Sequence, residues 1–267
     1  MTGGHHALDR EEAFHDEWAH SVDPASVPVH EAFTLPTCPE NRWIHASLGD
    51  VRGKTVLELG AGLGEASTWF ALHGARVIST DLSGGMLAVA RRVAALHDTT
   101  ITPVQMDGAV LALADTSVDV VYGANVLHHV DQAKCLREVH RILRPGGMAV
   151  FWDPLRYNPV INVYRRIATA VRTADEHPLG VDDLRLLQQT FQRVDVRYFW
   201  LATLGVFIWF FLGQRVHPNA ERYWKKIITD YVSIAPLYRL LAAIDRVLLR
   251  VPGLRWWAWN MAVVCRK

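Results

Sequence analysis

The sequence predicts an α/β fold built on a doubly wound, largely parallel sheet. Three observations carry this expectation. Strand and helix signals alternate from residue 54 to residue 152, a glycine-rich turn joins the first of those strands to its helix, and a long apolar insertion separates two later strand signals. Parallel strands need crossover connections, and helices packed on both faces leave the strands apolar throughout.

The elements follow in order. Up to about Ser47 the chain is mixed and broken by Pro24, Pro28, Pro36 and Pro39, which predicts short helices at most. Residues 54–59 form an apolar strand ending in the glycine-rich turn, and 65–73 a helix stopped by Gly74. A second strand spans 76–80. Ser83 then caps a helix that runs to about Leu96 through Leu87, Ala90 and Val93. Strands follow at 100–105 and 118–122. Asp131 caps a helix ending near Leu143, and 148–152 is the next strand. Beyond it, 159–172 and 181–190 read as helices, and 192–198 and 258–265 as strands. About sixty residues lie between those last two strands. Connections are usually about 4–6 residues long, so the excess predicts an added subdomain.

Composition narrows the function. The 267 residues weigh 30.1 kDa, enough for one large domain or a domain with an elaborate cap. Half of them are hydrophobic and 21% are charged, which excludes a disordered chain. Lys and Arg number 28 against 27 Asp and Glu, so a broad phosphate-gripping face is not expected, and neither is nucleic acid. Cys38, Cys135 and Cys265 lie far apart, without metal-ligand or disulfide spacing, which suits a reducing cytoplasm. No apolar signal segment opens the chain. Six of the ten tryptophans fall in the last quarter, between Trp200 and Trp259.

The turn after the first strand holds Gly60, Gly62 and Gly64. Glycine lets backbone approach a ligand without a Cβ in the way. Open parallel sheets bind ligands at the carboxyl ends of their strands, at the switch point. Asp81 ends the second strand and suits a ribose diol. Asp107 ends the third, and Asn125 follows the fourth. A nicotinamide site prefers G-x-G-x-x-G around a pyrophosphate. Here the third glycine comes one residue early, and Glu58, two before Gly60, would repel a pyrophosphate. The same carboxylate suits a ligand carrying an ammonium and a sulfonium.

These runs, at 58–64 (ELGAGLG), 79–86 (STDLSGGM), 105–108 (QMDG), 119–130 (DVVYGANVLHHV) and 143–150 (LRPGGMAV), resemble the class I S-adenosylmethionine-dependent methyltransferases of the small-molecule, type 11-like group. The resemblance covers about residues 56–152. It implies a Rossmann-like sheet of seven strands, the last antiparallel, and S-adenosyl-L-methionine as cofactor, leaving as S-adenosyl-L-homocysteine. Together with the long gap between the last two strand signals, the resemblance divides the chain into a cofactor-covering segment at 1–53, the cofactor domain at 54–200, a helical insert at 201–255 and the final strand at 256–267. It implies that Glu58, Gly60, Ala61, Gly62 and Gly64 surround the methionine moiety and ribose. Asp81 then takes the ribose hydroxyls, Leu82 and Met86 lie against the adenine, Asp107 and Gly108 meet its amino edge, and Asn125 and Leu127 line the sulfonium side.

The acceptor is less legible. A hydroxyl acceptor needs a base, and His is the usual choice. His128 and His129 follow the fourth strand, and many related enzymes carry His there whatever their acceptor. Tyr157, Asp175, Glu176 and His177 follow the fifth strand, where acceptor contacts are expected. His128, His129 and His177 are thus the candidate bases. Trp18, Tyr157, His177, Phe207 and Phe210 are the candidate acceptor contacts, with core packing the preferred reading for Trp18. No Asn-Pro-Pro-aromatic run of a nucleobase-amine enzyme, no paired glutamates and no acidic metal cluster are present, so no metal is expected.

Residues 198–212 carry no charge, yet the run is shorter than the twenty or so residues a spanning helix needs. Leu237, Leu240, Leu241, Ile244, Val247, Leu248 and Val251 recur at helical spacing. From Arg215 to Arg255, eight basic residues face three acidic ones. The insert therefore reads as a lid, a homodimer surface or a peripheral membrane contact. Placed over the ligand end, the 237–251 stripe and the 207–211 cluster would roof the pocket. That favours a hydrophobic acceptor of natural-product, quinone-like or lipid type. The alternative is a non-catalytic regulatory or scaffold protein that binds the cofactor and is anchored by the insert.

Overall fold

The computed structural model describes residues 2–171 and 176–267. Seven strands form one sheet: β1 (Thr55–Leu59), β2 (Arg76–Asp81), β3 (Thr102–Gln105), β4 (Val118–Ala124), β5 (Leu143–Pro154), β6 (Arg193–Phe199) and β7 (Asn260–Arg266). Their order is β3-β2-β1-β4-β5-β7-β6, with β7 antiparallel to both neighbours and every other pairing parallel.

The helices are α1 (Thr2–His20), α2 (Glu31–Thr34), α3 (Pro39–Leu48), α4 (Glu65–Leu72), α5 (Gly84–Leu96), α6 (Gln132–Ile142), α7 (Pro159–Ile167), α8 (Val181–Thr190), α9 (Gly205–Ile208), α10 (Tyr223–Thr229) and α11 (Tyr231–Leu248). Successive strand residues point to opposite faces, and both faces are covered. Val56, Val120, Tyr122, Val150 and Val264 pack with Phe70 of α4 and with Met86 and Val93 of α5. Leu57, Val121, Ala149, Phe151 and Val263 pack with Leu136 and Val139 of α6 and Leu187 of α8.

The N-terminal segment departs from the short helices expected of it. Thr2–His20 is one helix of 19 residues. It docks on α5: Asp16 Oδ1 accepts the N–H of Gly85 at 2.9 Å and the hydroxyl of Ser83. A side chain at position 85 would place its Cβ 2.8 Å from that oxygen, so the glycine admits the contact. Further on, Asn41 Oδ1 accepts from Tyr122 Oη at 2.7 Å and Trp152 Nε1 at 2.8 Å, which fastens α3 to the sheet.

The insert has its own core. Trp200, Phe207, Phe210, Tyr223, Tyr238 and Trp259 are buried together with Ile161 and Tyr164 of α7. This accounts for part of the late aromatic crowding, while Trp209 and Trp257 are exposed. Tyr238 Oη donates to the carbonyl of Pro36 at 2.6 Å, tying α11 to the N-terminal segment. Cys38, Cys135 and Cys265 are buried free thiols.

Candidate active site

A cleft of about 410 Å³ lies at the carboxyl ends of β1, β2, β4 and β5, where the strand order reverses. Glu58, Gly60, Ala61, Gly62, Asp81, Leu82, Asp107, Gly108 and Asn125 all line it, as do Trp18, His128 and His129. Residues scattered over a hundred positions converge because parallel strands end at one edge.

The three turn glycines do different work. Gly60 has φ +71°, and a Cβ there would lie 2.9 Å from Val126 Cγ2. Gly62 has φ +50°, and its missing Cβ faces open space. Gly64, at φ +85°, would drive a Cβ to 2.6 Å from that of Ala90. Gly64 is therefore a helix-packing glycine between α4 and α5 and does not line the cleft, contrary to the expectation. Asn125 also has positive φ, +52°, which Asn tolerates better than most residues.

Asp81 is held by backbone. Its Oδ2 accepts the N–H of Gly62 and its Oδ1 that of Ser83, both at 2.9 Å. Burial raises its pKa and those bonds lower it, with burial prevailing. Glu58 is buried beside Ser67 of α4, whose hydroxyl also meets Ser79 Oγ at 2.8 Å. Burial pushes the Glu58 carboxyl up to about 8. Such a site favours an arriving cation, because a positive charge restores the carboxylate.

His128 and Asp153 form a dyad. Nδ1 of His128 lies 2.8 Å from Asp153 Oδ1, and both side chains are buried. Asp153 Oδ1 accepts the hydrogen bond of Nδ1–H, which leaves Nε2 as the ring nitrogen open to chemistry. Burial raises the Asp153 pKa and the His128 contact draws it back. The rings of His128 and His129 are 4.0 Å apart between centroids, and His129 Nδ1 lies 3.1 Å from Glu11 Oε1 of α1. Glu176 completes this polar corner, with ligand-type atoms of Glu176 and the two imidazoles all within 4.8 Å of one another.

Beyond the dyad the walls are aromatic and aliphatic: Trp152, Tyr164, Trp200, Trp224, Ile227 and Trp259. Polar groups interrupt them: Arg165 lines the cleft, and Lys225 of α10 pairs there with Glu65 of α4. Asn260 Nδ2 donates to Glu40 Oε1 at 2.7 Å, and burial pushes Glu40 up to about 7.

Other expected contacts lie elsewhere. Met86 is fully buried on the α5 stripe it shares with Ala90 and Val93, and Leu127 packs on the opposite sheet face with Leu57 and Leu136. Tyr157 lies outside the cleft, where its hydroxyl accepts the N–H of Val181 at 3.1 Å. His177 also stands outside the lining; its backbone N–H donates to the carbonyl of His128 at 2.8 Å. Phe207 and Phe210 are interior to the insert. The roof is built by Trp224, Lys225, Ile227 and Ile228 of α10, whereas the 237–251 stripe faces away from the cleft. Asp175 lies outside the described residues.

Comparison with known proteins agrees with this geometry. Residues 57–151 match the family described as "Methyltransferase domain". A ubiquinone biosynthesis O-methyltransferase of Pseudomonas paraeruginosa is 30% identical over 202 residues, 73% of this chain and 81% of that protein. The chain belongs to the class I S-adenosylmethionine-dependent methyltransferases.

Other relatives match the methyltransferase over a shorter stretch. An uncharacterized methyltransferase of Mycobacteroides abscessus is 37% identical over 110 residues, and a demethylmenaquinone methyltransferase of Thermobifida fusca 38% over 121. The chain spans about half of these two relatives, 42% and 50% of their lengths. Among solved structures, an S-adenosylmethionine-dependent methyltransferase of Mesorhizobium loti aligns with TM-score 0.55 at 24% identity, covering 85% of this chain and 97% of that one. The phosphoethanolamine N-methyltransferase 2 of Haemonchus contortus, solved with S-adenosyl-L-methionine, aligns with TM-score 0.53 at 20% identity, covering 81% of this chain and 49% of that one. These two likenesses show the fold. The methyltransferase takes S-adenosyl-L-methionine as its cofactor.

Proposed function

We propose that this chain methylates a hydroxyl group on a hydrophobic small molecule, with His128 as the base and Asp153 as its positioning partner. The buried His128–Asp153 pair, at 2.8 Å and beside an aromatic-walled end of the cleft, carries the reading. A hydroxyl bound there hands its proton to His128 Nε2, and Asp153 stabilises the charged ring that results. The bound cofactor supplies an electrophilic methyl group.

The cleft suits that cofactor. Asp81, fixed by two backbone donors, keeps lone pairs for the ribose hydroxyls. Glu58 offers a buried carboxyl to the ammonium, and Asp107 an acceptor to the adenine edge. Asn125, Gly60, Ala61 and Gly62 supply close backbone. Trp18 on α1 and Trp224 on α10 add apolar surface to the lining, and water kept out of the loaded site would strengthen the electrostatics inside.

The apolar walls favour an acceptor with a large apolar body, since burial is worth about 25 cal/mol per Å². The printed names of two relatives, in ubiquinone biosynthesis and on demethylmenaquinone, support a quinone-like or similarly lipophilic compound. The test is a screen with methyl-labelled S-adenosylmethionine against apolar phenols and hydroquinones, sugars and amino acids. Turnover confined to the apolar hydroxyl compounds is expected. Equal turnover of small polar acceptors overturns the acceptor class, and cofactor binding without transfer to any class supports the scaffold reading instead.

A further inference from the structure

The outward side of α11 is apolar along its length. Val232, Leu240, Ile244 and Val247 recur at helical spacing and lead on to Val251; Val232 is 87% exposed, Leu240 63% and Val247 64%. The inward side is already used, with Ile234, Ala235, Tyr238 and Asp245 buried. Beside it, Leu241 packs against Gly205 of α9, and Ile208 at the end of that helix is exposed with Trp209, Phe211 and Leu212 of the helical turn that follows. A row of exposed apolar side chains along one helix marks an interaction surface.

Charge selects the occupant. Arg239 and Arg246 are exposed on the same helix, and Arg250 is exposed in the turn just after it. Its one carboxylate, Asp245, is turned inward and accepts the N–H groups of Leu201, Ala202 and Thr203 and the Thr203 hydroxyl. The helix therefore presents apolar side chains and arginines to the outside and no negative charge. We propose that this face docks on an anionic lipid bilayer, with α11 lying in the plane of the interface. A second copy fits less well. A two-fold contact through α11 would set arginines against arginines, with no exposed carboxylate on the helix to answer them. Exposed Trp209 and Trp257 suit the headgroup layer.

The helix lies on the membrane rather than crossing it. No single helix among the described residues is long and apolar enough to span a bilayer. The bent pair α10 and α11 meets at 104° and buries Ile227, Ile234 and Tyr238 against protein. Because α10 lines the cleft and joins α11 at Asp230, the docked face and the acceptor end of the cleft belong to one packed unit.

Co-sedimentation of the full chain with phosphatidylglycerol/phosphatidylcholine vesicles, and with phosphatidylcholine alone, tests this without any methyl acceptor. Binding to the anionic vesicles that weakens with salt is expected. Leu240→Asp combined with Val247→Asp should weaken it about tenfold or more. Replacing Arg239, Arg246 and Arg250 together by Gln should do the same. Melting temperature and cofactor affinity, measured in parallel, should stay near the parent values because these side chains are exposed. No binding to anionic vesicles, or equal binding by the variants, overturns the proposal. So does a stable dimer in light scattering that Leu240→Asp dissolves while vesicles are ignored, which would assign the face to a second copy.

Discussion

Asp81 at the end of β2 accepts the N–H of Gly62 at 2.9 Å, so the second strand holds the loop that follows the first. Its other oxygen takes the N–H of Ser83 at the start of α5. Asp81→Asn replaces one acceptor by a donor and sets it against a backbone N–H. Cofactor affinity should fall by about 1.5–3 kcal/mol, roughly ten- to a hundredfold. Calorimetry with S-adenosylhomocysteine checks this, and unchanged affinity would remove Asp81 from the site.

Glu58 gives the protein a pH signature. Its carboxyl is pushed up to about 8, chiefly by burial, from an ordinary value near 4.3. Between those pH values the folded chain holds a proton that the unfolded chain has lost, so stability falls as pH rises, by up to about 1.4 kcal/mol per pH unit. Glu40, pushed up to about 7, acts in the same sense. The melting temperature of the cofactor-free protein should therefore decline from about pH 5 to pH 8, and Glu58→Gln should flatten the upper part of that slope. Cofactor binding at neutral pH should also release a proton as Glu58 ionises beside the ammonium. Titration heats should then differ between phosphate and Tris buffers in the parent and agree in Glu58→Gln; buffer-independent heats in the parent would contradict the assignment.

Asp16 controls how firmly α1 closes the cleft. Leu8, Glu11, Phe14, His15 and Trp18 of that helix line the cavity, and Asp16 pins the helix to Ser83 and Gly85. Those two hydrogen bonds hold its carboxyl below the usual range. Asp16→Ala removes a cap contact worth about 0.5–2 kcal/mol. Limited proteolysis within residues 1–20 should become faster and cofactor affinity should drop several-fold. An unchanged cleavage pattern would mean that α1 is held by its apolar contacts alone.

Phe210 and Trp224 separate packing from acceptor binding. Phe210 is fully buried against Phe207 and Tyr223, so Phe210→Ala should cost about 3–5 kcal/mol and show as a lower melting temperature. Trp224 is half-buried and lines the cleft, so Trp224→Ala should raise the acceptor KM with little change in melting temperature. The reverse pattern would place the acceptor in the aromatic core around Phe210 rather than against α10.

The reach of the sequence follows from the range of the interactions. Ser83 and Asp131 were legible as caps because a cap acts within three residues; their side chains accept from Met86 N at 3.0 Å and Lys134 N at 3.1 Å. Glu58, Asp81, Asp107 and Asn125 group together because each lies at or just past the carboxyl end of a strand signal. Met86 was misplaced although the helical period that marks α5 already sets it on the buried stripe with Ala90 and Val93. Asp153 and Asp16 are not legible in the sequence because their partners lie 25 and 67 or more residues away, and no local pattern encodes such contacts. One signal for Asp153 was present: an acid closing the apolar strand ahead of Pro154. The hydrophilic α1 carries no strong apolar period, and its docking through Asp16 is tertiary.

The most direct measurement is methyl transfer from labelled S-adenosylmethionine to an apolar hydroxyl acceptor by the parent protein, His128→Gln and Asp153→Asn, with cofactor affinity measured on the same samples. Loss of the base should lower kcat by about 10²–10⁴ in His128→Gln while the cofactor Kd stays within a few-fold. Asp153→Asn should also be slow, because the imidazole loses the carboxylate that sets its tautomer and stabilises its charge. Parent-like kcat in His128→Gln would contradict the account and leave His128 a packing residue beneath the acceptor.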